Sequence, residues 1–403
     1  MPRSRESARQ PVAADPAQRT TRLLGIAIAG GFSSEVRVMS TMLANAPGID
    51  AALAIHAWDE DRDSVIRVRE LSGADVRGLD LGWRPPRSRS KAVRARQFAA
   101  SLFRLLGTSP KLIRFARSHR PDVVYSSQQK WDCAVAAVVA AIIRRPHVIH
   151  LHYIPGPWLG RFTTRRLHGG GTVIAVSDFI RERAIAAGTD PTCVVAVLNP
   201  VSVFPQAARS ERQRVRAGLG IDDSHIAIGF VGRISPWKGQ TEAIQALARL
   251  GDQASTARLL LVGDGEIVDE LRALATSLGV ADRVQFTGVR SDVPELLASF
   301  DVFVHPSYED PCPLAVLEAQ AAGLPTVAFD EGGVREIVAD GVTGLLAPDR
   351  NVDELAHRLA QLISDPELRS TMGAAAEKRA TTTFSPSRAG AAFARVVAGV
   401  PRR

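Results

Sequence analysis

Short apolar runs rich in β-branched residues recur along this chain, at 23–29, 51–57, 122–126, 147–151, 172–176 and 194–198, and again at 226–231, 259–262, 284–286, 302–305 and 326–329. Stretches with helical apolar spacing separate them. A strand that is apolar at every position, rather than at every second one, must be buried on both faces. Such strands alternating with helices call for parallel sheets covered on both sides. The runs form two series, the second restarting near residue 225 after the polar segment 206–218. The fold class expected is α/β, with two doubly wound domains divided near residue 205. Ligands of such sheets sit outside the carboxyl ends of the strands, so two facing domains make a cleft.

Composition narrows the setting. At 403 residues and 45% apolar content the chain can bury large cores. The three cysteines, Cys133, Cys193 and Cys312, form neither a CxxC pair nor a disulfide framework, which points to a reduced compartment. Residues 1–22 are polar and Arg/Ala/Pro/Gln-rich, read as a flexible tail without the apolar core of a secretory signal. The longest apolar run, 133–143, is too short to span a bilayer and reads as a buried helix. A cytoplasmic protein is expected.

Positive charge is concentrated in the first half. Residues 1–200 hold 29 basic and 16 acidic side chains, whereas the remainder holds 21 and 26. The stretch from Arg84 to Arg120 carries eleven basic residues and no acid. A solvated surface and a polybasic face for anionic lipid are the two readings of such a run. No helix-turn-helix, zinc-finger, RRM or KH signature accompanies it, so no nucleic-acid partner is expected.

Candidate chemistry lies at strand ends. Gly30 and Gly31 follow the first strand, ahead of a helix expected from Ser33, and allow close backbone approach to a ligand. The dinucleotide fingerprint G-x-G-x-x-G is absent there and at Gly263-Asp264-Gly265. Arg233 and Lys238 flank a turn after the strand ending at Val231. Together with free backbone donors they supply what a diphosphate needs. In a chain with 45 Arg and five Lys, a lysine at this turn offers a compact point charge. After the strand 302–305 comes Pro306-Ser307-Tyr308-Glu309-Asp310-Pro311-Cys312-Pro313-Leu314-Ala315, running on to Glu318. Asp310 would precede a helix and Glu318 would lie about two turns along it. Both carboxylates are suited to accept sugar hydroxyls, and N–H groups from Cys312 to Ala315 would meet phosphate. An N-cap Asp with an unrelated surface Glu is the bland alternative.

These residues carry a resemblance. V-G-R-I-S-P-W-K-G, L-V-G-D-G, F-T-G-V-R-S-D-V, D-V-F-V-H-P-S-Y-E-D-P-C-P-L-A-V-L-E-A-Q-A-A-G-L-P-T-V-A and E-G-G-V-R-E-I-V-A-D-G-V-T-G-L-L occur in that order between Gly229 and Leu346. The second half thereby resembles the family 4 retaining glycosyltransferases of GT-B fold, the bacterial glycosyl transferases group 1. The first half resembles them at Gly30-Gly31, at the strand ending in His152, and at V-S-D-F after Ala175. The resemblance implies two Rossmann-like domains: an acceptor domain over 23–205 and a nucleotide-sugar donor domain over 206–384, with a helix over 385–400 packing back on the first.

It also implies roles. Arg233 and Lys238 would bind the donor diphosphate and stabilise the departing nucleoside diphosphate. Glu318 would hold the ribose, Asp310 the transferred hexose, and Leu314 would offer its N–H to phosphate. Counting back from Glu318 puts the first acid of the E-x7-E motif at Asp310, one methylene shorter than the family's Glu, with Glu309 as the neighbouring alternative. His152 would bond the donor sugar or the acceptor hydroxyl. Gly30 and Gly31 would approach donor and acceptor. From its residues alone, Pro155-Gly156-Pro157-Trp158 reads either as a cleft loop whose ring stacks on a sugar or a lipid, or as a structural turn. Glu331, Gly332 and Gly333 would back the donor site, and Glu336 would open or stabilise its own helix. No metal and no cofactor are expected, because the two cations supply the leaving-group charge. The partners implied are a nucleotide-sugar donor and a glycan, lipid-linked or small-molecule acceptor of cell-surface polysaccharide or glycoconjugate synthesis. An anionic membrane surface met through the stretch from Arg84 to Arg120 would place the enzyme peripherally on the inner face of the plasma membrane. A catalytically silent GT-B subunit and a sugar-nucleotide 2-epimerase are the competing classes. The first would lack Arg233 and Lys238; the second would need acid–base groups in the N-domain cleft, where few are visible.

Overall fold

A computed structural model describes residues 20–27, 34–56, 62–82, 90–127, 130–156, 159–202 and 209–401. Gly30, Gly31, Pro157, Trp158, the tail up to residue 19 and positions 84–89 of the basic stretch lie outside the described residues.

Among the described residues the first sheet is built from β1 (Thr21–Ala27), β2 (Ile49–His56), β3 (Asp75–Leu79), β4 (Val123–Ser127), β5 (His147–Leu151), β6 (Val173–Ala175) and β7 (Val194–Ala196), in the order β3-β2-β1-β4-β5-β6-β7. The second contains β8 (Ile226–Val231), β9 (Ala257–Val262), β10 (Val284–Gly288), β11 (Val302–His305), β12 (Thr326–Phe329) and β13 (Gly344–Ala347), ordered β10-β9-β8-β11-β12-β13. Every pairing between these strands is parallel. Each sheet reverses direction beside its first strand, between β1 and β4 and between β8 and β11, and leaves a crevice there.

Neighbouring residues show why the strands are apolar throughout. Leu23 enters one core with Leu53 and Tyr125, and Leu24 enters the other with Ala52 and Val124. In the second sheet Phe230 and Val304 face one core, while Ala227 and Phe303 face the other. That last core crosses between the domains, joining Val176, Ile180 and Val201 to Val316, Leu317, Val334 and Ile337.

Two strands depart from the sequence expectation. The edge strand β3 buries Val76 but little else, so it lacks the run of apolar residues that marks an inner strand. Four-residue β13 is too short to show a period. The run at 133–143 falls in the helix Lys130–Ile143, which is not wholly buried: Val135, Ala136 and Val139 face the core, while Val138 and Ile142 are about half exposed, at 52% and 49%. No helix among the described residues is long and apolar enough to cross a membrane.

After the helix Pro366–Thr383 the chain returns to the first domain through the helix Pro386–Ala398. There Phe393 meets Tyr125 edge-on at 5.4 Å, and Gly390 sits so close to the Asn45 carbonyl that a Cβ would lie 2.1 Å from its oxygen.

Candidate active site

The turn leaving β8 is held from below. The amide of Ile234 donates to the Asp264 carbonyl, and buried Gln240 donates from Nε2 to the Arg233 carbonyl at 2.8 Å. Gly263, at φ +136°, lies against this turn, where a Cβ would come within 1.9 Å of the Gly232 oxygen. It therefore shapes the Arg233 loop. Lys238 ends the short turn Pro236–Lys238. Its Nζ lies 4.1 Å over the Trp237 ring and 2.5 Å from Asp310 Oδ2. Arg233 is exposed and reaches Glu266 at 3.1 Å.

The loop leaving β11 supplies the carboxylate. Asp310 is buried, with His305 Nε2 at 3.2 Å and Ser307 Oγ at 3.4 Å from the same oxygen that takes Lys238. Burial alone would push its pKa up. The hydrogen bond from His305 and the Lys238 charge outweigh this and hold it well below the usual carboxylate range. His305, stacked between Phe230 and Phe303, has its own pKa lowered by burial. Glu309, in left-handed backbone at φ +46°, points away to Arg183 across the cleft at 2.6 Å. Gly332 and Gly333 press on this loop from beneath; the Gly333 amide donates to the Asp310 carbonyl, and a Cβ there would sit 1.9 Å from the Pro311 oxygen.

The helix Leu314–Ala321 starts straight after this loop, with Pro313 before it and no side chain capping it. Its first amides therefore have no partner of the kind an N-cap provides. Cys312 is buried, its thiol pushed up to about 12 by burial, and its carbonyl accepts from Asn199 of the first domain at 3.3 Å. Glu318 lies one turn beyond Leu314, not two. Its carboxylate pairs with Arg37 of the first domain at 2.5 Å.

The opposing wall comes from the first domain. His150 is interior, with Nδ1 2.7 Å from Tyr125 Oη. His152, 4.2 Å from it ring to ring, stands at the cleft. Burial lowers the His152 pKa to about 4, against the opposing pull of the Glu35 carboxylate, so the ring is neutral at pH 7. Glu35 accepts from Tyr153 Oη at 2.5 Å. Both line the cleft, so the first domain is less poor in acid–base groups than its sequence suggests. The signal was present: Glu35 follows Gly31 by four residues, at the start of the helix Ser34–Ala44. Glu336 also departs from expectation. It serves another helix, accepting the Asp178 and Phe179 amides of Asp178–Ala186 at 2.8 and 2.9 Å across the domain interface.

His152, Glu35, Arg233, Lys238, Asp310, Cys312, Leu314 and Ala315 thus share one cleft of about 450 Å³, while Glu318 lies just outside it.

Two doubly wound parallel domains that face each other across this cleft have the architecture of the GT-B class. Residues 50–203 match the family described as Glycosyltransferase Family 4, and residues 211–379 match Glycosyl transferases group 1. The chain belongs to the family 4 glycosyltransferases of GT-B fold. It is 37% identical over 197 residues to a D-inositol 3-phosphate glycosyltransferase of Kribbella flavida, covering 46% of each chain. It is 33% identical over 242 residues to a GDP-mannose-dependent alpha-(1-6)-phosphatidylinositol monomannoside mannosyltransferase of Mycobacterium tuberculosis, covering 56% of this chain and 61% of that one. The chain spans about half the length of the curated relatives it matches. Among solved structures, Anabaena HepE in complex with UDP-glucose superposes with a TM-score of 0.76 at 25% identity, covering 94% of this chain and all of that one.

Proposed function

We propose that the protein transfers a hexose from a nucleoside-diphosphate sugar to a hydroxyl acceptor, with retention and without a metal. The observation that carries this reading is the convergence of Arg233, Lys238, Asp310 and the uncapped start of the helix Leu314–Ala321 on one cleft, outside the carboxyl ends of β8 and β11. Two cations and free amides suit a diphosphate and the charge that grows on it as the sugar leaves. A silent subunit has no need of this set.

Asp310 Oδ2 is held by Lys238, His305 and Ser307, so it is a poor nucleophile, and Oδ1 is the oxygen left to accept a hexose hydroxyl. Front-face attack follows, with the leaving phosphate taking the acceptor's proton. The protein's part is then positioning and electrostatic stabilisation. Neutral His152 and the Glu35 side chain face the incoming hydroxyl from the other domain.

A thermal-shift screen against UDP-, GDP-, ADP- and dTDP-sugars, with and without EDTA, tests the donor site. One nucleotide is expected to raise the melting temperature, by about 2.7 kcal/mol of added stability at a hundred-fold excess over Kd. Loss of the shift in EDTA would overturn the metal-free reading, and no shift with any donor would overturn the donor site.

We propose further that the acceptor is met at an anionic membrane surface. The helix Lys91–His119 has no acidic residue and packs Leu112 and Ala116 into the core. Its outer side exposes Phe98, Leu102, Phe103 and Leu106, with Phe103 79% exposed, beside exposed Arg96, Lys111, Arg114 and Arg117. An apolar strip edged by cations is the pattern of a helix lying in a lipid interface. The protein is expected to float with anionic vesicles and not with neutral ones. Phe103→Glu should weaken that binding at least about ten-fold, since burying one Phe is worth about 1.5–3 kcal/mol. Flotation that ignores lipid charge, or an unaffected Phe103→Glu, would sink this placement.

A further inference from the structure

A small cavity of about 60 Å³ adjoins the main cleft and shares Val38 and Leu314 with it. Arg37 and Glu318 line it from opposite domains, Arg37 on the helix Ser34–Ala44 and Glu318 on the helix Leu314–Ala321. Arg37 Nη2 donates to Glu318 Oε1 at 2.5 Å, and Oε2 has no protein donor among the described residues. The Glu318 side chain is 12% exposed, whereas that of Arg37 is 43% exposed. A solvated arginine therefore reaches across the interface to a nearly buried carboxylate that stands on the same helical face as Leu314, one turn further on.

We infer that Arg37 is a positioning residue of the donor site: it fixes Glu318 so that Oε2 accepts a ribose hydroxyl, and ties ribose recognition to the closed arrangement of the two domains. The inference rests on Glu318 being the ribose acceptor. Two properties of the pair lead to it. A carboxylate held at one oxygen has one rotamer and one free acceptor, so the hydroxyl is met without ordering the side chain at the moment of binding. The acceptor is also a carboxylate, and charge-assisted hydrogen bonds are the stronger kind. Because the arginine belongs to the other domain, an open cleft would leave Glu318 unoriented.

Isothermal titration with matched pairs, the ribonucleoside diphosphates UDP, GDP and ADP and their 2′,3′-dideoxy analogues, separates this from a mere interdomain contact. The wild-type protein should bind its preferred ribonucleotide at least about ten-fold tighter than the dideoxy analogue, as expected for a hydrogen bond to a charged acceptor. Arg37→Ala should remove most of that ratio by weakening the ribonucleotide alone, and Arg37→Lys should restore it. Unchanged dideoxy affinity in Arg37→Ala shows that the fold and the diphosphate site are intact. A wild-type ratio near one overturns Glu318 as the ribose acceptor, and the inference with it. A wild-type ratio that Arg37→Ala keeps, or an equal loss for both analogues, overturns the positioning role alone.

Discussion

Lys238→Ala lowers turnover by about 100- to 1,000-fold, the range found when one donor aimed at a developing oxyanion is removed. Lys238 stands at the cleft with its Nζ against Asp310, so its charge is already in place when the phosphate begins to leave. A stabilisation that grows along the reaction appears in kcat rather than in donor affinity alone. The substitution also leaves Asp310 buried with His305 and Ser307 as its side-chain partners among the described residues, which costs stability. The double variant Lys238→Ala, Asp310→Asn separates the two effects, because the neutral amide no longer needs a cation. It should regain melting temperature without regaining turnover. Recovery of both together would make the pair a structural ion pair and remove Lys238 from the chemistry.

Gly239→Ala destabilises the protein by about 3 kcal/mol or more and abolishes nucleotide binding. Gly239 links the turn bearing Lys238 to the helix Gln240–Arg249 in left-handed backbone, φ +76°. A Cβ there would lie 1.8 Å from the Pro306 carbonyl oxygen, on the loop that carries Asp310. Backbone presses on backbone, so no side chain can swing aside. The strands β8 and β11 must part at the point where their loops build the site. Gly341→Ala is the control: its φ of +71° is similar, but nothing lies within 4 Å of the added carbon, and it should cost only about 1 kcal/mol. Chemical unfolding of the three proteins measures the difference, and similar losses for the two variants would show that backbone conformation, not contact with Pro306, sets the cost.

The sheet interiors were legible because burial on both faces leaves one unbroken signal. Runs such as 226–231 and 302–305 are apolar at nearly every position, and both lie in strands flanked by two cores. The edge strand β3 was not legible, since exposure lets Arg77 and Gly78 stand where an inner strand would need apolar side chains. Half of the site was legible for a similar reason of locality. Arg233 and Lys238 share one turn, and Asp310, Leu314 and Glu318 share one loop and helix, so spacing along the chain already approximates spacing in the site.

The sequence by itself therefore determined the two α/β domains and the cation and carboxylate groups of the donor wall. Tertiary structure decided which of those groups meet. Lys238 and Asp310 are 72 residues apart, Glu35 and Tyr153 are 118 apart, and Arg37 and Glu318 are 281 apart. Glu336 caps a helix 158 residues away, although its position invited a role in its own. No local period or propensity encodes such pairs. Lys238 meets Asp310 because β8 and β11 lie side by side in one sheet, and Glu35 meets Tyr153 within the first domain. The Arg37–Glu318 pair and the Glu336 cap form only when the two sheets dock, because an ion pair or a cap depends on distance in space, and docking sets that distance through the shape of the apolar surfaces between the domains.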